Sequence, residues 1–141
     1  MADEELKDEQ ELLFRQVHPS FVRDGRLGSQ AFRPTPKDKR LLSVDRSSLT
    51  SDKAAFELHT QCKQLASAGT WAVTVGECAG LDLAVRPDPI AEAPCPNPAH
   101  AVIDFTSLSK SKADDYGTRL ARLANERGRL YPPDEQGGLN Q

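Results

Sequence analysis

Histidine exchanges a proton near neutral pH, and arginine grips a carboxylate or phosphate with two parallel hydrogen bonds. Five residues able to do such chemistry, Arg15, His18, Ser43, Arg46 and His100, stand at or beside the ends of apolar stretches. "ELLFRQVHP" ends on His18-Pro19, "LLSVDR" carries Ser43 and Arg46, and in "CPNPAHAVIDF" His100 stands where a proline-broken loop enters an apolar run. Strand ends are where a scaffold presents polar groups to a pocket. Two imidazoles, a hydroxyl and guanidinium groups in one place suit an anionic or nucleotide-like ligand, and transfer of a group from it. The expectation is a ligand-binding pocket shared by His18 and His100. The competing reading is plainer: His18 bonds a turn before its proline, and His100 is a satisfied core histidine. Arg15 and His18 have opposite parity on a regular strand, so they share a face only if the strand breaks near Val17.

Other chemistries are weaker in the sequence. "HTQC" puts His59 and Cys62 three residues apart, and "CPNPAH" puts Cys95 and His100 on either side of a stiff loop. Together they form a Cys2His2 set, the usual ligands of structural zinc, but the spacing is irregular and Cys-x-x-Cys is absent. Cys62 also falls on an apolar helical stripe, where a plain buried thiol is common. Cys78 follows Gly76 at the start of a helical turn that would stabilise a thiolate, though a core position competes with that role. Ser43 stands on a strand outside any Gly-x-Ser-x-Gly frame. The basic stretch "RPTPKDKR" is able to touch phosphates, and it reads equally as a solvated loop diluted by Asp38. "DGRLGSQ" matches neither the dinucleotide nor the Walker pattern. No cofactor and no resident metal are expected.

These residues need elements to position them. Strands are predicted at 11–17, 41–44, 70–75 and 99–105, with a shorter one in "DLAVRPD" and a hairpin turn at Asp24-Gly25. A helix is predicted over 47–69, capped by Thr50 or Ser51 and stopped by Gly69. Its buried face would be Ala55, Leu58, Cys62 and Leu65. A second helix over 107–128 would bury Ala113, Tyr116, Leu120 and Leu123. Five prolines between 87 and 98 make that segment extended or looped. The order strands, helix, strands, helix argues for a single-domain α+β fold. Its sheet would be mostly antiparallel or mixed, with two main helices on one face. Residues 1–10 read as a flexible acidic N-terminus, 11–131 as the domain and 132–141 as a flexible tail.

Net charge is −3 over 141 residues, so a general nucleic-acid binder is not expected. No apolar run is long enough to span a bilayer, and the acidic start lacks a signal-peptide core. Three cysteines at wide spacing do not read as a secreted disulfide framework, and the expected compartment is the cytoplasm.

"LFRQVHPSFVRDGRLGSQAFRPTPKDKRLLSVDRSS" and "PNPAHAVIDF" resemble a group of small uncharacterised bacterial proteins. The shared pattern is Arg15-x-x-His18-Pro19, Ser29-x-Ala31-Phe32, Leu42-Ser43-Val44 and Pro98-Ala99-His100-Ala101. The resemblance implies that the polar residues of these blocks belong to one design, and it carries no activity. The first block also distantly looks like the strand arginine and later strand serine of ADP-ribosyltransferase-type domains, whose catalytic glutamate has no counterpart here. Small size and polar tails fit an alternative function: a non-catalytic interaction or accessory subunit of a bacterial toxin–antitoxin or phage-defence system.

Overall fold

A computed structural model of the chain describes residues 5–35 and 39–133. Alternating apolar residues build five strands: β1 (Leu12–Val17), β4 (Leu41–Arg46), β5 (Gly69–Thr74), β6 (Ala84–Pro87) and β7 (His100–Asp104). They pair in the order β5-β1-β4-β7-β6, and every pairing is antiparallel. A separate hairpin joins β2 (Val22–Arg23) to β3 (Arg26–Leu27). Its turn residues Asp24 and Gly25 both have positive φ, 55° and 79°, as a two-residue hairpin turn requires. The chain is a single-domain α+β fold.

Period-two alternation sorts the sheet into two faces. Leu13, Val44, Val73 and Ile103 face the long helix α3 (Lys110–Arg127) and form the main core with Phe32 and Leu120. Phe14 and Ala72, of opposite parity, meet Ala55 of α1 (Asp52–Glu57). The two helices therefore lie on opposite faces, not on one face as the element order suggests. An antiparallel sheet buried only by α3 would leave Phe14 and Ala72 in water.

The first helix is also much shorter than predicted. Ser51 caps it, accepting the Ala54 N–H at 3.0 Å, but regular α-helix ends at Glu57 and passes into a π-turn, Leu58–Cys62. A π-turn inserts an extra residue and rotates everything after it off the stripe. Ala55 is buried, Leu58 is half-buried, and Cys62 and Leu65 are exposed, Leu65 by 51%. Cys62 instead forms a disulfide with Cys95, which corrects the expectation of a buried thiol or zinc ligand at this position. Gly69 is not a helix stop. It opens β5 at φ 150°, where a Cβ would meet Arg129 Cδ at 2.6 Å.

The ends of the domain are docked. The Leu6 N–H donates to Val85 O at 2.8 Å, Leu6 packs on the main core, and the Gly76 N–H donates to Glu9 O. The described part of the acidic N-terminus thus lies along β6 and α2 (Val75–Ala79), where a free segment is expected from its charge alone. At the other end Thr70 exchanges backbone bonds with Leu130 and Tyr131, and Tyr131 meets Phe56 edge-on. Of the expected tail, residues 134–141 lie outside the described residues.

The buried face of α3 is made of small residues, Ala113, Gly117, Ala121 and Ala124, with Leu120 beside them. Tyr116 and Leu123 are only half-buried. Gly117 lets the helix close on the turn Ser29–Phe32: a Cβ there would lie 2.7 Å from Phe32 O and 2.9 Å from Arg33 Cα. Gly117→Ala gains about 1 kcal/mol of helix propensity. It costs about 2–3 kcal/mol of overpacking, because the atoms it meets are backbone. The expected outcome is a net loss near 1–2 kcal/mol, seen as a lower urea midpoint. A midpoint that stays or rises would refute the close approach of α3.

Candidate functional site

Three neighbouring strands, β4, β7 and β6, position the site. Ser43 pairs with Val102 and Asp45 with His100, so Ser43 and His100 are diagonal neighbours on the α1 face. Strand β6 ends at Pro87, and Asp88 continues its pairing by donating its N–H to His100 O at 2.9 Å. Ser43, His100 and Asp88 thus form a row running across the strands. Ala99 and Ala101 on either side of His100 are buried towards the core.

His100 is only 9% exposed. Its Nδ1 lies 2.8 Å from the Asp88 carbonyl oxygen and 3.3 Å from Asp88 Oδ2. Its Nε2 lies 3.1 Å from Ser43 Oγ. Both neighbours of Nδ1 are acceptors, so Nδ1 carries the proton. In the neutral ring Nε2 then offers its lone pair, and the Ser43 hydroxyl donates to it. This is a hydroxyl–imidazole pair whose Nδ1 is held by the Asp88 main-chain carbonyl, with the largely exposed Asp88 carboxylate beside it. Ser43 itself is exposed and open to a ligand.

The cleft over Ser43 and His100 holds about 210 Å³. The π-turn supplies His59 to the lining, Lys63 follows directly after it, and β1 supplies Arg15. The Lys63 ammonium makes no hydrogen bond or ion pair with any described residue. Burial, then the Lys63 charge, push the His59 pKa below its ordinary value, so His59 is a neutral ring at neutral pH. Arg15 donates from Nε to Ala31 O at 3.1 Å and from Nη1 to Ser43 O at 3.0 Å.

The loop before His100 is pinned by Asn97, which is 5% exposed. Asn97 donates Nδ2 to Asp45 Oδ1 at 2.7 Å, accepts the Ala99 N–H at Oδ1, and exchanges backbone bonds with Ile90. The Cys62–Cys95 disulfide ties the same loop to the π-turn, joining the two walls of the cleft.

Of the five residues singled out by the sequence, Arg15, Ser43 and His100 come together. His18 does not join them. It caps the turn Pro19–Phe21, accepting the Ser20 N–H on Nδ1 at 3.0 Å, and lines an adjoining recess that shares Arg15, Gln16 and His59. The cause is Pro19, which turns the chain at the strand end before His18 can follow β1 towards β7. Arg46 has the parity of Leu42 and Val44 and leaves the cleft altogether. Its Nε and Nη2 hold Glu11 Oε2 and Oε1 at 3.2 and 3.4 Å.

The zinc set loses two donors, because the sulfurs of Cys62 and Cys95 are bonded to each other. Among the described residues no three His, Cys, Asp or Glu side chains converge as metal ligands. Cys78 is fully buried, and burial, then the Glu77 charge, push its thiol up to about 12, which removes it as a nucleophile. Asp88, Asn97 and Lys63 escaped the sequence reading. Asp88 is hidden between Pro87 and Pro89 in a stretch that reads as loop, yet a carboxylate held between two prolines is itself a signal of a fixed acceptor.

The chain finds no match among protein-family models, curated proteins or solved structures. Among the described residues no helix is long and apolar enough to cross a membrane.

Arg46 yields a stability prediction. Burial works against the Glu11 charge, but hydrogen bonds from Ser48 and Arg46 outweigh it and hold the Glu11 pKa below 4.5. A carboxyl with a depressed folded pKa adds stability above its unfolded pKa and loses it as pH falls through the folded pKa. Glu11→Gln should cost about 2 kcal/mol at pH 7. Urea melts should show that gap closing below pH 4.5, as wild-type Glu11 protonates. A gap of the same size in acid would mean that the carboxylate charge contributes nothing.

Proposed function

We propose that this small bacterial protein binds an anionic ligand in the cleft and transfers a group from it, with Ser43 as the reactive hydroxyl. The observation that carries this reading is Nε2 of His100 at 3.1 Å from Ser43 Oγ while Nδ1 faces only acceptors. As Ser43 Oγ bonds to an acyl carbon or a phosphorus, its proton passes to Nε2. The bond to the leaving group breaks, and the imidazolium returns that proton to the departing atom. Asp88 at Nδ1 supports the imidazolium between these steps.

Arg15 and Lys63 give the ligand its sign, two cations in the lining against one carboxylate, Asp45, whose Oδ1 accepts from Asn97. The volume of about 210 Å³ is below that of pockets that enclose whole drug-sized ligands. A phosphate, carboxylate or acyl end fits inside, and the remainder of the ligand lies outside. The Cys62–Cys95 disulfide removes the cysteine argument for the cytoplasm, and no compartment is part of this proposal. A second reading, an accessory subunit of a toxin–antitoxin or phage-defence assembly, draws on Leu49 and Leu65, which are 53% and 51% exposed on either side of α1 and its π-turn.

A fluorophosphonate probe tests the first reading. It should label the protein at Ser43, as located by peptide mass spectrometry, and Ser43→Ala should remove the label without shifting the melting temperature. His100→Gln should slow labelling about a hundredfold or more, the usual worth of a general base. Lys63→Gln should slow reaction with an anionic ester and spare a neutral one. Wild-type protein that takes no label, or takes it at a residue other than Ser43, would end the proposal.

A further inference from the structure

A second cavity, of about 350 Å³, opens beside the first turn of α3 and shares only Arg15 with the cleft over Ser43. Among its described lining residues four are cationic, Arg15, Arg33, Arg40 and Lys110, and one is anionic, Asp114. The Lys110 ammonium bonds the Asp114 carboxylate at 2.9 Å. That hydrogen bond first, then the charges of Lys110, Arg33 and Arg40, hold the Asp114 carboxyl below its ordinary pKa.

The two arginines are anchored by neutral oxygens. Arg33 donates from Nε and Nη2 to Thr118 Oγ1 at 3.3 and 3.0 Å, and Arg40 donates from Nη1 to the Leu108 carbonyl. Such anchors hold a guanidinium in place without cancelling its charge. The positive end of the 18-residue α3 helix adds to the same field. The lining also has apolar members: Phe21, an aromatic ring 37% exposed, and Pro34. The cavity volume lies in the range of sites that enclose a small organic ligand.

We propose that this cavity binds a nucleotide, with the base against Phe21 and Pro34 and the phosphates among Arg33, Arg40 and Lys110. Base–aromatic stacking tolerates any base, and the planar guanidinium matches phosphate oxygens two at a time. The basic stretch "RPTPKDKR" thereby gains a role, since Arg33, Pro34 and Arg40 all come from it. The proposal is independent of the chemistry assigned to Ser43.

Calorimetry with ADP, adenosine and inorganic pyrophosphate tests it. ADP should bind more tightly than either part alone. Lys110→Gln and Arg40→Gln should each weaken ADP about tenfold. Phe21→Ala should weaken ADP and leave pyrophosphate unchanged, and Ser43→Ala should leave ADP binding intact. The Lys110 side chain is 76% exposed, so Lys110→Gln keeps the test decisive even where Arg40→Gln lowers the melting temperature. No binding at millimolar ADP overturns the proposal. So does ADP binding that Lys110→Gln leaves untouched. Equal affinity for ADP and pyrophosphate, with Phe21→Ala altering neither, reduces the cavity to an anion site and also overturns it.

Discussion

Where two strands part, the backbone groups that faced each other need new partners, and Arg15 supplies them here. β1 and β4 pair only at Leu13–Arg46 and Phe14–Asp45. Beyond that point the strands diverge, and Arg15 reaches across to the Ser43 carbonyl and back to the Ala31 carbonyl. The parting opens the sheet in its middle without leaving a raw edge. The Ser43 cleft, the recess at His18 and the cavity at α3 all have Arg15 in their walls. One guanidinium thus braces the sheet at the place from which every candidate binding surface departs.

A second constraint acts from above the sheet. The π-turn carries His59 and Lys63, the proline-rich loop runs from Asp88 to His100, and the Cys62–Cys95 bridge holds one to the other across 33 residues of chain. Closing a loop of that size removes roughly 3–4 kcal/mol of freedom from the unfolded chain. Asn97 secures the same loop from below through Asp45. An imidazole can hold a fixed tautomer only if both its partners are fixed, and these two attachments accomplish that for Asp88.

Much of this architecture is legible in the residues. The alternation in "LLFRQV" and "HAVID" places the strands, Asp24-Gly25 places the hairpin, and parity alone sets His100 on the face opposite Ala101. Ser43 and His100 stand out because a polar side chain within an apolar strand needs a reason. What stays illegible depends on contacts distant in sequence. Helical periodicity carries Cys62 and Leu65 onto a buried stripe, and only the π-turn, held by tertiary packing, takes them off it. The parity of Arg46 is readable, but its partner Glu11 is 35 residues away. The docking of Leu6 on Val85 leaves no local trace in an acidic segment. Asp88 is masked by the prolines that hold it.

The row Ser43, His100 and Asp88 is gathered from distant parts of the chain. Strand β7 is the last strand among the described residues, yet it lies between β4 and β6, so it joins the parts of the sheet that hold Ser43 and Asp88. Ser43 and His100 are 57 residues apart, and Asp88 and His100 are 12 apart. The β6–β7 pairing that joins His100 to Asp88 closes a short span of chain, and the pairing with β4 that adds the Ser43 hydroxyl closes a long one. The entropy lost in gathering the three groups is charged to that closure. The ligand proposed for the cleft would meet them already aligned, with none of its binding energy spent on assembling them.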